Sequence, residues 1–328
     1  MRVGAIDVGS NSVRLLVADV RSGTEDGELV TIARAGEACR LGRGLEGAGE
    51  IDGGTAERAA VVAGEFARRA RSLGAVHTIV GATAALRQAD NGAAVAAAIE
   101  QRTGLPVRIL SGEAEARLVY RAVVLGLRGV ARRSPCVVFD LGGGSTEVVS
   151  GMGPEAGRWA SLPFGAVSLT ERFVRSEPAG VAEVSSLMDA VRCQLMHDCA
   201  LMPEKTPMLA GVGGTVTALA ALDKQMTVYD PTSIEGWLIE SSRLEGLVER
   251  IAASTEKGRR GWAVIGQGRS DILVAGALTV RLIAQRFPSR GLVCSTQGLR
   301  YGLVRLAAAE AARHPHRDRA GLHEPPAS

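Results

Sequence analysis

The sequence predicts an α/β protein built as two domains flanking a central cleft. Three observations carry that expectation. Apolar runs of strand length alternate with helical repeats in both halves of the chain. A strand, Gly-rich turn, strand phrase is written twice, and a third Gly-rich turn follows. The 328 residues suffice for two domains, each with ample core.

The fullest phrase spans residues 137–149. An apolar, β-branched run ends in Asp140. Gly142, Gly143 and Gly144 follow, then Ser145, Thr146 and Glu147, then a second apolar run. Glycines let a ligand approach the backbone closely, and successive bare N–H groups form a concave anion site. Asp140 and Glu147 put negative charge beside that site, which calls for a cation between them and the anion. Phosphate with Mg²⁺ is the simplest pair. The N-terminal phrase spans residues 3–17. Aligning Asp7 with Asp140 puts Gly9 on Gly142, Ser12 on Ser145 and Arg14 on Glu147. The third phrase, 209–217, runs through Gly211, Gly213, Gly214 and Thr215 into a helical Ala/Leu run. Such internal similarity is duplication.

In chain order, residues 1–20 read as the first hairpin, 23–27 as a turn and 29–34 as a third strand. Residues 36–55 are Gly-rich and irregular and carry Arg40 and Arg43, either a lip on the cleft or a long connection. Ala59, Val62, Ala63, Phe66 and Ala70 are spaced for a helix over 55–73, which Gly74 stops. A strand at 76–80 precedes residues 83–91. There Arg87 is either a bidentate phosphate clamp or a solvated helix arginine. A helix over 91–103 and a strand at 107–110 lead to a helix running to about 127, with Ser111 as N-cap. Glu113 and Glu115 lie in its first turn, where acidic residues suit the positive end of the helix dipole. At i and i+2 they point different ways, so only one faces the cleft.

Residues 128–135 are polar, with a glycine and a proline, and mark the domain boundary. Beyond the hairpin at 136–150, a loop at 151–163 holds a strand at 159–162, and 165–175 is of mixed helical character. A helix over 181–199 carries the core stripe Val184, Leu187, Met188, Val191, Leu195 and Met196. Helix follows over 217–222, a turn at 229–231, a strand within 234–239, helices over 241–253 and 272–287, a strand at 292–295 and a helix over 298–312. The expected domains are 1–130 and 131–297, with a disordered tail at 314–328.

Composition excludes several function classes. The net charge of +3 is too mild for a nucleic-acid footprint, and no basic stripe with interleaved aromatics occurs. A local positive funnel for a polyanion is still allowed. The five cysteines are odd in number and form no Cys-x-x-Cys pair, which argues against a disulfide framework or a zinc site and for a reducing compartment. No run approaches the roughly 18 apolar residues of a membrane helix. The N-terminus enters a strand at once, unlike a signal peptide. A cytoplasmic protein without membrane or nucleic-acid partners is expected.

The motifs in this order resemble the phosphate and nucleotide loops of the actin-like ATPase fold. More narrowly, they resemble the exopolyphosphatase/guanosine pentaphosphate phosphatase (Ppx/GppA) family. The resembling pieces are Asp7-Val8-Gly9-Ser10-Asn11-Ser12, the stretch 82–91 with Arg87 and Asn91, and Gly112-Glu113-Ala114-Glu115-Ala116-Arg117. The stretch 140–147, Gly213-Gly214-Thr215, Tyr229-Asp230-Pro231 with Gly236, and Gly298-Leu299-Arg300 complete the set. They run from residue 1 to about residue 310.

The resemblance implies two ribonuclease-H-like domains, with the last helix, 298–313, packing back onto the first. It assigns the general base to Glu115 and leaves Glu113 a supporting or structural acid. Backbone amides of Gly9, Ser10, Asn11 and Ser12 and of Gly142, Gly143, Gly144 and Ser145 would grip a phosphate from two sides, with Gly213, Gly214 and Thr215 as the third phosphate element. Asp140, with Asp7 or Glu147, would hold Mg²⁺, or Mn²⁺ in its place. Arg87 and Arg14 would hold further phosphates. The helix N-terminus is expected to keep Glu115 ionised at neutral pH. The implied reaction is release of orthophosphate from inorganic polyphosphate, with guanosine pentaphosphate as the alternative substrate and a homodimer as the assembly. An actin-like small-molecule kinase and a non-catalytic alarmone-binding module are the competing classes. Longer members of the family carry a further C-terminal helical domain that helps bind long chains, and this sequence ends before one. The family's usual acidic residue after Gly298-Leu299-Arg300 is Tyr301 here.

Overall fold

The computed structural model describes residues 1–21, 27–127, 134–262, 264–265 and 268–313. The expected turn at 23–27, the boundary at 128–135 and the tail at 314–328 lie wholly or mostly outside the described residues.

Two sheets repeat one plan. In the first, β1 (Arg2–Val8) and β2 (Val13–Val20) form a hairpin that β3 (Leu29–Glu37) extends. The short α1 (Leu45–Ala48) and long α2 (Gly53–Ser72) lead to β4 (His77–Ala82), which pairs parallel with β1. Then α3 (Ala84–Gln88) and α4 (Gly92–Thr103) precede β5 (Val107–Ile109), for an order of β3-β2-β1-β4-β5. Helix α5 (Gly112–Leu127) crosses to the second sheet. There β6 (Pro135–Leu141), β7 (Thr146–Met152) and β8 (Glu155–Leu162) repeat the meander. Helices α6 (Ala166–Phe173) and α7 (Val181–Asp198) follow, and β9 (Met208–Val212) pairs parallel with β6. The chain continues through α8 (Gly214–Asp223), α9 (Pro231–Ile234), β10 (Trp237–Glu240), α10 (Ser241–Ala252), α11 (Glu256–Arg260), α12 (Leu273–Arg286), β11 (Gly291–Cys294) and α13 (Leu299–Arg313). The second order is β8-β7-β6-β9-β11-β10, the first plan plus one antiparallel edge strand.

Side-chain alternation decides which residues meet. On the first sheet, Ile6, Val8, Leu15 and Val17 face outward and bury against α2 and α4 through Ala59, Val62, Phe66 and Ile99. On the second, Val137, Phe139, Leu141 and Val148 face outward into a core with α7, α8, α10 and α12. The inner faces share one core, in which Val3, Ala5 and Leu16 meet Val138, Val149 and Ala210 through α5 and α13. The protein is therefore layered helix, sheet, helix pair, sheet, helix. Strand side chains repeat every two residues. Asp7 thus follows Ala5 onto the inner face, Arg14 follows Leu16, Asp140 follows Val138 and Glu147 follows Val149.

Short elements depart from expectation. Asp230 accepts from Thr232 N at 2.9 Å and caps α9, so the expected turn at 229–231 starts a one-turn helix and the next strand begins only at Trp237. Strand β8 begins at Glu155 instead of 159, because its first half is mostly solvent-facing and lacks an apolar signature. Helices α1 and α11 occupy segments without helical apolar spacing. Ser111 caps α5 as expected, accepting from Ala114 N at 3.2 Å.

Candidate active site

The two hairpin turns are built alike. Gly9 N donates to Ser12 O at 3.1 Å, and Gly142 N donates to Ser145 O at 3.1 Å. Asp7 lies opposite Arg14 in one hairpin, and Asp140 opposite Glu147 in the other. The turns touch across the cleft: a Cβ added to Gly144 would meet Ser10 Oγ at 2.8 Å, and one on Gly143 would meet Asn11 N at 3.3 Å. The third turn presses on the second. Gly213 holds φ +109°, and a Cβ there would lie 2.5 Å from Leu141 O and 3.3 Å from Asp140 Oδ1. Together these turns enclose a space of about 80 Å³, whose walls include Asp7, Gly9, Ser10, Asn11, Ser12, Asp140, Gly142, Gly143, Gly144, Ser145, Gly213, Gly214 and Thr215. Glu115 opens onto the same space.

Residues 38–49 form a lip. Arg40 N donates to Asn11 O at 2.9 Å and Gly42 N to Ser10 O at 2.7 Å, fixing the lip to the first turn. It also reaches the other half of the molecule. The Glu171 carboxylate accepts from Gly44 N at 2.9 and 3.1 Å, and Arg40 pairs with Asp271 at 3.3 Å.

The two first-turn glutamates of α5 separate cleanly. Glu113 points outward and pairs with Arg117 at 2.9 Å. Glu115 is 6 % exposed and turns inward. The helix N-terminus is not the main influence on its ionisation. Burial, followed by the charge of Glu147, pushes its pKa well above the ordinary value, Arg87 pulls it back, and Asp140 adds to the rise. A dipole effect of about a kcal/mol is small against burial beside two other carboxylates. Arg87 also departs from its expected place. It does not line the pocket, and Nη1 is committed to Leu110 O at 2.7 Å and Glu115 Oε2 at 3.2 Å.

The other carboxylates share this environment. Burial raises Asp7, against the pull of Arg14 and Arg300. It raises Asp140 to about 6, again against Arg14 and reinforced by Asp7. Glu147, 1 % exposed, stands behind the pocket wall and accepts from Ser161 Oγ at 2.9 Å. Burial and then Asp140 push it to about 7. The result is a cluster of buried acids whose burial outweighs the pull of the nearby arginines, with an all-oxygen donor set suited to a hard divalent cation. Among the described residues no three acidic, His or Cys side chains close into a preformed metal cage. A cation held by Asp7 and Asp140 would therefore take its remaining ligands from water and phosphate.

Two functional candidates escaped the sequence reading. Arg269 covers the third turn, so that a Cβ on Gly214 would lie 2.8 Å from its Nε. Arg300 begins α13 beside Asp7 and Arg14. Burial and then Arg14 push each guanidinium down to about 10. Both line a chamber of about 740 Å³ that shares Asp7, Arg14 and Asp140 as walls with the pocket. Arg300 ends the Gly298-Leu299-Arg300 motif, but nothing local marks either side chain as facing the cleft.

Comparison with known proteins agrees with this geometry. The profile of the Ppx/GppA phosphatase family matches residues 16–309. Exopolyphosphatase 2 of Mycobacterium tuberculosis (strain CDC 1551 / Oshkosh) is 34% identical over 297 residues, covering 88% of this chain and 92% of that protein. Exopolyphosphatase 1 of Mycobacterium bovis (strain ATCC BAA-935 / AF2122/97) is 30% identical over 306 residues, covering 93% and 87%. The crystal structure of the Aquifex aeolicus member of the Ppx/GppA family superposes with a TM-score of 0.79 at 28% identity, covering 96% of this chain and 99% of that one. The fold is the actin-like two-domain one, its twin turns meet at a buried carboxylate, and the chain belongs to the Ppx/GppA phosphatase family.

Proposed function

We propose that the protein is an exopolyphosphatase, which hydrolyses the terminal phosphoanhydride bond of inorganic polyphosphate and releases orthophosphate. The observation that carries this reading is the Glu115 carboxyl group opening onto the same small space as both Gly-rich turns. A terminal phosphoryl group between the turns would accept hydrogen bonds from their backbone amides. Glu115, in its ionised form, takes a proton from a water molecule as the water oxygen attacks phosphorus in line. The bridging P–O bond breaks and the shortened chain leaves as an oxyanion. Arg87 orients Glu115 through the 3.2 Å contact. Asp7 and Asp140, with Glu147 behind them, are the residues that would hold Mg²⁺, or Mn²⁺. When bound, that ion neutralises phosphate charge so that an anionic base can approach.

The names of the mycobacterial relatives support polyphosphate as substrate. Guanosine pentaphosphate is the second reading. Tyr229, 43% exposed, lines the adjoining chamber and offers a ring on which a base can stack. The five free cysteines support a cytoplasmic setting. A homodimer rests on the family likeness and is tested by light scattering.

Orthophosphate release is measured in parallel on polyphosphate, guanosine pentaphosphate and ATP, with Glu115→Gln as control. Release from polyphosphate that disappears in the variant is expected. Binding without release from any of the three would instead identify a non-catalytic module, and ATP consumption that requires an acceptor would identify a kinase.

A further inference from the structure

Four arginines line the chamber beside the catalytic pocket: Arg14, Arg34, Arg269 and Arg300. Among the described residues none of them makes an ion pair, whereas Arg58 at the rim is paired with Glu37 at 3.0 Å. With Arg58, five arginines face three acids in this chamber, Asp7, Glu37 and Asp140, and that excess of guanidinium charge suits an anion of several charges.

Arg34 differs from the others in place and support. It lies on edge strand β3 opposite Leu16, while Arg14 lies opposite Gly36. Arg34 and Arg14 are therefore diagonal neighbours on the inner face, about 7–8 Å apart. The Arg14 side chain lies over Gly36, where an added Cβ would touch Arg14 Cγ at 3.5 Å. The Arg34 guanidinium lies 5.6 Å from the centroid of the Tyr301 ring, and Nη2 donates to Thr31 Oγ1 at 3.3 Å. Its Nε is buried without an acceptor. Tyr301 is 2 % exposed in the first turn of α13, so the ring is held by the core and cannot swing aside. An aromatic face positions a guanidinium without cancelling its charge. A carboxylate in the same place would pair with it and remove that charge from the chamber.

We propose that Arg34, positioned by Tyr301, is a specificity-determining residue that binds phosphates of the chain beyond the scissile bond. This rests on the exopolyphosphatase reading and deepens it. A chain whose end lies between the twin turns passes Arg14 first. Only a longer chain reaches Arg34.

The test is steady-state orthophosphate release from tripolyphosphate and from long-chain polyphosphate by the full-length wild type and by Arg34→Ala, Arg34→Lys, Tyr301→Phe and Tyr301→Glu. Losing one charge-assisted contact is expected to raise KM for the long chain about tenfold in Arg34→Ala and Tyr301→Glu, with kcat and the tripolyphosphate KM held within about twofold. Tyr301→Phe keeps the ring and should match the wild type, and Arg34→Lys should fall between. Equal changes on both substrates, or none on either, overturn the proposal. Melting curves check folding, and if Tyr301→Glu does not fold, the Arg34 pair carries the test. If the wild type releases no orthophosphate, the exopolyphosphatase reading fails on its own. Equilibrium binding of long-chain polyphosphate to wild type and Arg34→Ala then decides the Arg34 proposal, a tenfold weakening supporting it and equal affinity overturning it.

Discussion

Arg87 Nη1 lies 3.2 Å from Glu115 Oε2 and 2.7 Å from Leu110 O, so one guanidinium nitrogen ties the buried carboxylate to the end of the preceding strand. This contact opposes the rise that burial and the neighbouring acids impose on Glu115. Removing the base itself, as Glu115→Gln, should lower kcat by about 10²–10⁴. Arg87→Ala should act through the base. With its cation gone, the Glu115 pKa rises further, and the acidic limb of the kcat/KM profile moves to higher pH. A pH–rate profile checks this, and a limb that stays in place while the rate falls would mean that Arg87 contacts phosphate directly.

The acid cluster makes stability depend on pH. Glu147 and Asp140 are raised to about 7 and about 6 in the folded protein. Unfolded carboxyls titrate near 4. Between about pH 4 and 7 the native state therefore holds more protons than the unfolded state, so stability falls as pH rises through that window. The loss is on the order of a few kcal/mol for the two groups together. Asp230, lowered to about 2, has the opposite sign, but its effect ends below pH 4. Denaturant unfolding in EDTA should show a lower stability at pH 8 than at pH 5. Glu147→Gln should be more stable than the wild type at pH 8 and equal to it at pH 4. A wild-type stability that rises steadily from pH 5 to 8 would falsify the cluster's reading.

The matching halves of the site were legible because strand spacing is local. Aligning Asp7 with Asp140 needs only the two-residue period, and the registers Asp7 to Arg14 and Asp140 to Glu147 follow from it. The choice between Glu113 and Glu115 was open in the residues themselves, and packing of α5 decides it. Arg269, in the loop before α12, and Arg300, in the first turn of α13, reach the cleft through the packing of those helices, a tertiary matter without local periodicity. The raised Glu115 was hidden for the same reason: its neighbours Glu147 and Asp140 are distant in sequence. Helix α9 was readable only through its Asp230 cap and Pro231, not through apolar spacing.

Gly213 carries the tightest demand on backbone freedom at the site. Its φ of +109° is costly for any residue with a side chain, and the added Cβ would meet Leu141 O at 2.5 Å. Gly213→Ala should destabilise the protein by about 1–3 kcal/mol. It should also lower activity, because relief of the clash displaces the second turn and Asp140. Gly246→Ala is the control. Gly246 lies within α10 with nothing within 4 Å of an added Cβ, and alanine there should stabilise by about 0.4–1 kcal/mol. Thermal unfolding and orthophosphate release on both variants check the contrast, and equal melting temperatures would count against it.

A divalent cation should bind the acids in their ionised form, which ties metal affinity to pH. Asp140 is raised to about 6 without one, so at pH 5 protons compete for its carboxylate and at pH 8 they do not. Chelation should abolish orthophosphate release, and Mg²⁺ should restore it. Independently of turnover, Mg²⁺ should raise the melting temperature more at pH 8 than at pH 5, because a ligand of the native state adds stability as the logarithm of one plus its free concentration over its Kd. Asp140→Asn should remove most of that shift, while Glu113→Gln, on the outward face of α5, should leave it intact. Scanning calorimetry with and without Mg²⁺ reads all of these. An equal Mg²⁺ shift at both pH values, or an undiminished one in Asp140→Asn, would place the ion elsewhere.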